Sequence, residues 1–267
     1  SIIYFFNLIP NFKYSVNVIK YMEFVKVNQF DNLEMSYICD FSGGYVSRNY
    51  KLFSQIELTD LNRFIMEKSV FGTPIFKMGD GGTKLLIISG IHGNELPPQI
   101  ANLRLMNELI ERDLSNTLYF IPFAAPKSTM NIERTFNSMD LNRSTHIKNS
   151  LSNLILQAAL DLGVDFVGDF HSTAFNSNPG FESIFSSKSP SPESFLIANY
   201  ISREVGSEVI SFDFAGSTYK GAVEDVCNLK GIPAVTCEVL CPFGNVAEGS
   251  AEKSLSQMKS FLDYFGF

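Results

Sequence analysis

From about Gly72 onward, the apolar and polar positions of this chain switch repeatedly between two periods. Short apolar runs that suit a covered β-strand alternate with stretches whose apolar residues recur every three or four positions, as on one face of a helix. Thr73-Pro74-Ile75-Phe76-Lys77-Met78 predicts a strand. Gly79-Asp80-Gly81-Gly82 then predicts a tight turn of the Asp-Gly kind that favours positive φ. A second strand is expected at 84–89, and Pro97 and Pro98 suit the first turn of a helix, where a missing N–H costs little. Ile100, Leu103, Met106, Ile110 and Leu114 would form the inner stripe of that helix.

The alternation continues with a strand at 117–122, a long irregular loop to about Asn149, and a helix carrying Leu151, Leu154, Ala158 and Leu162. A strand at 164–170 leads to His171. Ser191-Pro192-Glu193 predicts another helix start, with Ser191 as N-cap and an acid near the positive end of the dipole. Phe195, Ala198, Ile201 and Val205 should face inward from it. A strand near 208–212, a buried central strand at 233–239 and a closing amphipathic helix with Leu255, Met258, Leu262 and Phe265 complete the pattern. Alternating strands and helices of this kind indicate a layered α/β fold. Residues 1–70 are less legible; their aromatic-rich strands and the helical segment after Thr59 predict an N-terminal extension, as an added lobe or as an edge of the sheet.

Composition narrows the functional classes. With 267 residues, 45% hydrophobic and 18% charged, the chain can bury a sizeable core. A formal charge of −7 argues against nucleic acid as a partner, and any anionic substrate would need a local cationic pocket. No apolar run approaches the roughly 20 residues of a membrane span, so no membrane partner is expected. Cys39, Cys227, Cys237 and Cys241 contain no C-x-x-C pair and suggest packing in a reduced, cytoplasmic setting. The opening Ser1-Ile2-Ile3-Tyr4-Phe5-Phe6 is apolar but is soon interrupted by Asn7, Pro10 and Lys13 and lacks a basic n-region. The chain begins without Met, which leaves a processed leader open.

Candidate chemistry centres on Gly90-Ile91-His92-Gly93-Asn94-Glu95, directly after an apolar run. His92 and Glu95 stand three positions apart on a turn, so an imidazole and a carboxylate can converge on one ion. A catalytic zinc needs three protein ligands and an open position. With three histidines in the chain, His171 is the best candidate for the third ligand. By itself the same glycine-rich turn would also serve phosphate binding or plain chain reversal.

Glu238 lies inside the apolar run 234–240, where a carboxylate is costly to bury without compensation. It either reaches solvent or an arginine from a strand end, or serves a neighbouring metal site as general base. Arg134 and Asp140-Leu141-Asn142-Arg143 offer guanidinium groups and an amide suited to a substrate carboxylate, unless they form an ordinary solvated loop. The same tetrapeptide recurs as Asp60-Leu61-Asn62-Arg63 in a predicted amphipathic helix, where it reads as structural. Asp140 or Asp169 could orient a ligand histidine through its second ring nitrogen. His146 reads as a surface histidine, and Tyr219 as either a phenol over the site or a packing residue.

In this order, Gly90-Ile91-His92-Gly93-Asn94-Glu95, Asp140-Leu141-Asn142-Arg143, Asp169-Phe170-His171 and Glu238 resemble the succinylglutamate desuccinylase and aspartoacylase family, within the zinc carboxypeptidase superfamily. The resemblance covers roughly residues 72–267. It implies a doubly wound α/β fold with a mixed central sheet, helices on both faces, and one catalytic zinc per chain. It further implies His92, Glu95 and His171 as ligands, Glu238 as base, Asn142 and Arg143 as carboxylate clamp, and Arg134 as the group stabilising the oxyanion. The Arg134–Arg143 spacing only approximates the family's. The implied activity of 71–267 is hydrolysis, by metal-activated water, of the amide bond of an N-acyl amino acid or related carboxylate-bearing substrate. A zinc carboxypeptidase acting on peptides or cell-wall peptides is the alternative. A non-enzymatic zinc- or ligand-binding protein is a third reading, against which Glu238 argues. The chain ends soon after Glu238, without a counterpart of the separate C-terminal β domain of many members, and residues 1–70 have no counterpart in the resemblance.

Overall fold

A computed structural model describes residues 22–267; the opening apolar hexapeptide and the rest of 1–21 lie outside the described residues. The fold is built on strands that are apolar on both sides. In β4 (Lys84–Ser89), Leu85 and Ile87 point into one core layer while Leu86 and Ile88 point into the other, and all four are fully buried. A strand with that composition needs cover on each face, which is the hallmark of parallel strands inside an α/β sheet.

The strands are β1 (Val25–Lys26), β2 (Glu34–Cys39), β3 (Thr73–Met78), β4, β5 (Thr117–Ile121), β6 (Phe166–Thr173), β7 (Ser183–Ser187), β8 (Glu208–Phe212) and β9 (Ala234–Leu240). Among the described residues they form one nine-stranded sheet in the order β1-β2-β3-β5-β4-β6-β9-β7-β8. The centre, β5-β4-β6-β9, is parallel, and antiparallel pairing begins at β3 on one side and β7 on the other. The helices are α1 (Tyr50–Phe53), α2 (Asp60–Lys68), α3 (Leu96–Leu109), α4 (Pro126–Asn131), α5 (Leu151–Leu162), α6 (Glu193–Val205), α7 (Val223–Leu229) and α8 (Ser250–Asp263). Helices α2, α3, α6 and α8 contribute to the core layer that holds Phe120, Phe170 and Val235. Helices α5 and α7 cover the opposite face, over Val167 and Ala234. The expected doubly wound mixed sheet is therefore present.

Several expectations are corrected. The apolar stripe toward Leu114 overruns α3, which ends at Leu109; Leu114 packs on the core from the turn that follows. The loop after 122 contains α4 and a single helical turn at Leu141–Arg143. Ser191 does not cap α6. Its hydroxyl donates to the Asn228 carbonyl oxygen at 2.9 Å, and Pro192 occupies the cap position. Strand β7 and helix α7 were absent from the sequence pattern. Residues 22–70 add β1 and β2 to the sheet edge, and Leu33, Val46, Leu52, Leu61 and Ile65 share the core of the central strands. The second Asp-Leu-Asn-Arg copy lies in α2, where buried Asn62 donates to the Glu57 carbonyl oxygen at 2.8 Å.

The turn that leaves β4 is fixed by close approach. Gly90 has φ of 75°, and a Cβ on Gly93 would sit 2.1 Å from the Ser128 carbonyl carbon in α4. Backbone cannot retreat as a flexible side chain can. Gly93→Ala should therefore lower stability by about 1–3 kcal/mol, as overpacked cores do, read as a lower urea midpoint at unchanged m-value; an unshifted midpoint would refute this packing.

Candidate active site

The carboxyl ends of β4, β6 and β9 lie side by side. From β4 the chain passes through α3 to β5 on one flank, while β6 pairs with β4 on the other. In open α/β sheets a ligand crevice forms at such a switch point. Three chemically active segments meet there. The turn after β4 carries His92 and Glu95, the end of β6 carries His171, and Glu238 stands beside His171 in the β6–β9 register. Glu95 immediately precedes α3, whose first turn contains Pro97 and Pro98. The Gln99 side-chain amide donates to the Glu95 carbonyl oxygen at 2.7 Å, and Gln99 in turn accepts from the Thr129 hydroxyl at 2.9 Å, which braces the turn against α4.

His92 Nδ1 lies 2.8 Å from Glu95 Oε1, and His171 Nδ1 lies 2.8 Å from Glu95 Oε2. The outer ring nitrogens also face carboxylates. His92 Nε2 meets Asp140 Oδ1 at 2.9 Å, and His171 Nε2 meets Asp169 Oδ2 at 2.8 Å. If each Nε2–H donates to its aspartate, each Nδ1 presents a lone pair to a carboxylate oxygen that is itself an acceptor. Only a proton on Nδ1 or a cation among these atoms relieves that conflict. All three residues are buried, and their ligand atoms lie within 4.8 Å of one another. Two imidazoles and a carboxylate, with both imidazoles oriented by outer carboxylates, are a donor set suited to a divalent transition metal.

The electrostatics follow the same geometry. Burial alone would raise Glu95, but the two imidazoles hold it well below the usual carboxylate range. Burial likewise opposes charge on His171, yet Asp169 and Glu95 push its pKa well above the ordinary value. Asp140, despite partial burial, is held low by its hydrogen bond to His92 and by Arg134. Arg134 bridges the cluster, 3.2 Å from Glu95 Oε1 and 3.3 Å from Asp140 Oδ2. Burial, reinforced by Glu95 and Asp169, pushes Glu238 up to about 8 against the pull of His171 and Arg134. Its buried Oε2 has no hydrogen-bond partner among the described residues.

Beside this cluster opens a cleft lined by Arg134, Asn142, Arg143, Tyr219 and Glu238, among others. Asn142 Oδ1 accepts from the Val223 backbone N–H at 2.9 Å, which ties it to the start of α7. Arg143 donates to the Asn142 carbonyl oxygen at 2.5 Å, and its guanidinium lies 5.1 Å from the Tyr219 ring centroid. The Tyr219 hydroxyl accepts from the Asn178 amide at 2.9 Å, while its ring packs edge-on against Phe185 and Phe212. His92, Glu95, His171, Asp140, Arg134, Asn142, Arg143, Tyr219 and Glu238 thus all belong to the cluster or the cleft. His146 is exposed and does not line the cleft.

Sequence reasoning missed Glu224, a buried carboxyl group of α7 in the cleft wall. Burial, with Asp225 and Asp169 nearby, pushes it up to about 8 against hydrogen bonds from Asn228 and Ser187. The available signal was the pair of acids in Val223-Glu224-Asp225-Val226-Cys227, between apolar positions.

A mixed nine-stranded sheet with a buried His-Glu-His cluster at its parallel strand ends defines an α/β protein of the metallocarboxypeptidase-like fold. The model of the succinylglutamate desuccinylase/aspartoacylase catalytic domain matches residues 81–194. An aspartoacylase family protein from Mesorhizobium loti superposes with a TM-score of 0.62 at 17% identity, covering 93% of this chain and 71% of that one. A succinylglutamate desuccinylase/aspartoacylase from Rhodobacter sphaeroides gives 0.57 at 18% identity, covering 74% and 61%. A metallo-carboxypeptidase from Burkholderia cenocepacia gives 0.55 at 13% identity, covering 73% and 62%. The chain therefore spans less than two thirds of the last two. No curated protein matches it by sequence. Among the described residues, no helix is long and apolar enough to cross a membrane.

Because Asp140 fixes the orientation of the His92 ring, Asp140→Asn should weaken divalent-metal affinity about 10- to 100-fold, the usual cost of losing such a partner. Competition against a chromophoric chelator measures this, and unchanged affinity would show that Asp140 does not orient a ligand.

Proposed function

We propose that this protein is a zinc-dependent hydrolase that cleaves the amide bond of an N-acyl amino acid or a related carboxylate-bearing substrate. The observation that carries the reading is the convergence of His92, Glu95 and His171 beside a carboxyl group, Glu238, whose Oε2 has no hydrogen-bond partner among the described residues. One zinc per chain would be held by those three side chains, where it would supply Lewis-acid polarisation and lower the pKa of water.

The chain's own groups account for the remaining work. Glu238, as carboxylate, accepts the proton of the attacking water and returns it to the nitrogen of the leaving amine. The water oxygen forms the new C–O bond as the C–N bond breaks, giving a carboxylic acid and a free amine. A positive centre in the cluster favours ionised Glu238 and so opposes the burial that raises it. Arg134 stands beside Glu95, where it can face a carbonyl oxygen as negative charge develops. Asn142, with its oxygen committed to Val223, has Nδ2 to offer as a donor, and Arg143 adds a guanidinium for the substrate carboxylate. Tyr219 forms the wall over that clamp.

A peptide's C-terminal residue presents the same carboxylate beside an amide, so a metallocarboxypeptidase activity fits the same clamp. N-acyl amino acids and longer peptides, each tested beside an amidated counterpart, separate the two. Release of C-terminal residues from peptides, without turnover of N-acyl amino acids, would replace the deacylase reading.

Glu238→Gln should keep the metal and lower turnover by roughly 10²- to 10⁴-fold, since an amide cannot accept the proton. Zinc content and rate measured on one sample check this, and near-normal turnover would remove Glu238 from the mechanism. Arg143→Ala should cost about 1.5–3 kcal/mol of binding to a carboxylate substrate, nearer the lower figure because the side chain is exposed. The loss should be much smaller toward the amidated analogue. Equal losses would mean that Arg143 supports its loop and does not read the carboxylate.

A further inference from the structure

The cleft wall holds a carboxyl group that hydrolysis, as derived above, does not use. Glu224 is only 4% exposed, yet it lines the cleft. Its Oε1 accepts from the Asn228 amide at 2.6 Å and from the Ser187 hydroxyl at 3.3 Å. Its Oε2 receives no hydrogen bond among the described residues. In the same cleft, Thr236 Oγ1 is buried and equally without a partner. The charged groups acting on Glu224, Asp225 and Asp169, are both acidic. An acceptor on the cleft wall that no protein donor meets, with two acidic groups acting on it, is open to a donor or a cation brought by a ligand.

The clamp shows which half of the substrate reaches this wall. Asn142 is hydrogen-bonded to the backbone of Val223, the residue before Glu224. A carboxylate held by Asn142 and Arg143 therefore lies beside the start of α7, and the group carrying that carboxylate is the amino acid rather than the acyl chain. Phe185 and Tyr219, packed edge to face in the same cleft, offer apolar surface to a methylene stem and aromatic faces to a cation.

We propose that Glu224 is a specificity residue for the amino-acid half of the substrate, selecting a side chain that ends in a primary amine or a guanidinium. This rests on the hydrolase reading of the site. The cation would pair with Oε2 and donate to Thr236 Oγ1, filling both open acceptors. A neutral side chain would leave them unpaired, and an acidic one would add a further negative charge beside Glu224, Asp225 and Asp169.

The test uses the zinc-loaded full chain. The N-acetyl derivatives of L-2,4-diaminobutyrate, L-ornithine, L-lysine and L-arginine are compared with those of L-norleucine, L-glutamine, L-aspartate and L-glutamate. At least one cationic substrate should exceed its neutral isostere at least tenfold in kcat/KM, mainly through KM, and the diamino series reports the stem length. Glu224→Gln should bring that ratio close to one, and Glu224→Asp should retain part of it. Neutral or acidic substrates turned over as efficiently as every cationic one would overturn the inference while leaving the hydrolase reading intact. Hydrolysis of no N-acetyl amino acid would count against that reading instead. In that event, or if the variants fail to fold, calorimetric binding of free L-ornithine and L-lysine against L-norleucine to the unaltered protein decides. A tenfold preference for the cations sustains the assignment, and equal affinity ends it.

Discussion

Two imidazoles, from a turn after one strand and from the end of another, aim the same ring nitrogen at a single carboxylate. His92 and His171 each meet one oxygen of Glu95, and each is backed by its own aspartate. Such an arrangement of acceptors is tolerable only with positive charge at its centre. Much else in the structure serves to hold these groups together. Parallel pairing brings the ends of β4 and β6 side by side, a glycine-bearing turn brings Glu95 back toward β6, and α4 supports that turn from behind.

The sheet supplies stiffness and the loops supply chemistry. Strands β4, β6 and β9 are packed on both faces, so their carboxyl ends have little freedom to shift. Arg134, Asn142 and Arg143 come from the irregular stretch between β5 and α5. That stretch is tied down at separate points: Arg134 to Glu95 and Asp140, and Asn142 to the start of α7. These residues are thereby linked both to the cluster and to the helix that carries Glu224.

Much of this was legible in the sequence because it left strong local marks. The apolar runs of β4, β6 and β9, the Asp-Gly turn before β4 and the proline pair of α3 marked the central layers. Glu238 was conspicuous because a carboxylate inside an apolar strand needs a reason. Strand β7 left no such mark. Ser183, Ser186 and Ser187 are buried hydroxyl residues that interrupt any apolar run, and the strand forms because it pairs with β9 and β8. Helix α7 was missed because Glu224, Asp225 and Asn228 occupy buried positions where the periodic pattern expects apolar groups. Ser191 misled in the opposite way. It has the chemistry of a cap, but tertiary packing gives its hydroxyl to Asn228.

The β6–β9 register has a further consequence for how this chain can change over time. His171 pairs with Glu238 and Asp169 with Thr236, so the placement of His171, Glu238 and Asp169 depends on two strands keeping step. Side chains alternate between faces along a strand, and a one-residue slip turns every one of them over. Loss of a single residue within 234–237 would leave an apolar strand still able to pair, but with Glu238 turned toward the layer of α6 and α8. The outcome would be a sheet without Glu238 beside the cluster. A substitution in this seven-residue strand therefore disturbs one position, whereas a change in its length disturbs every position that follows.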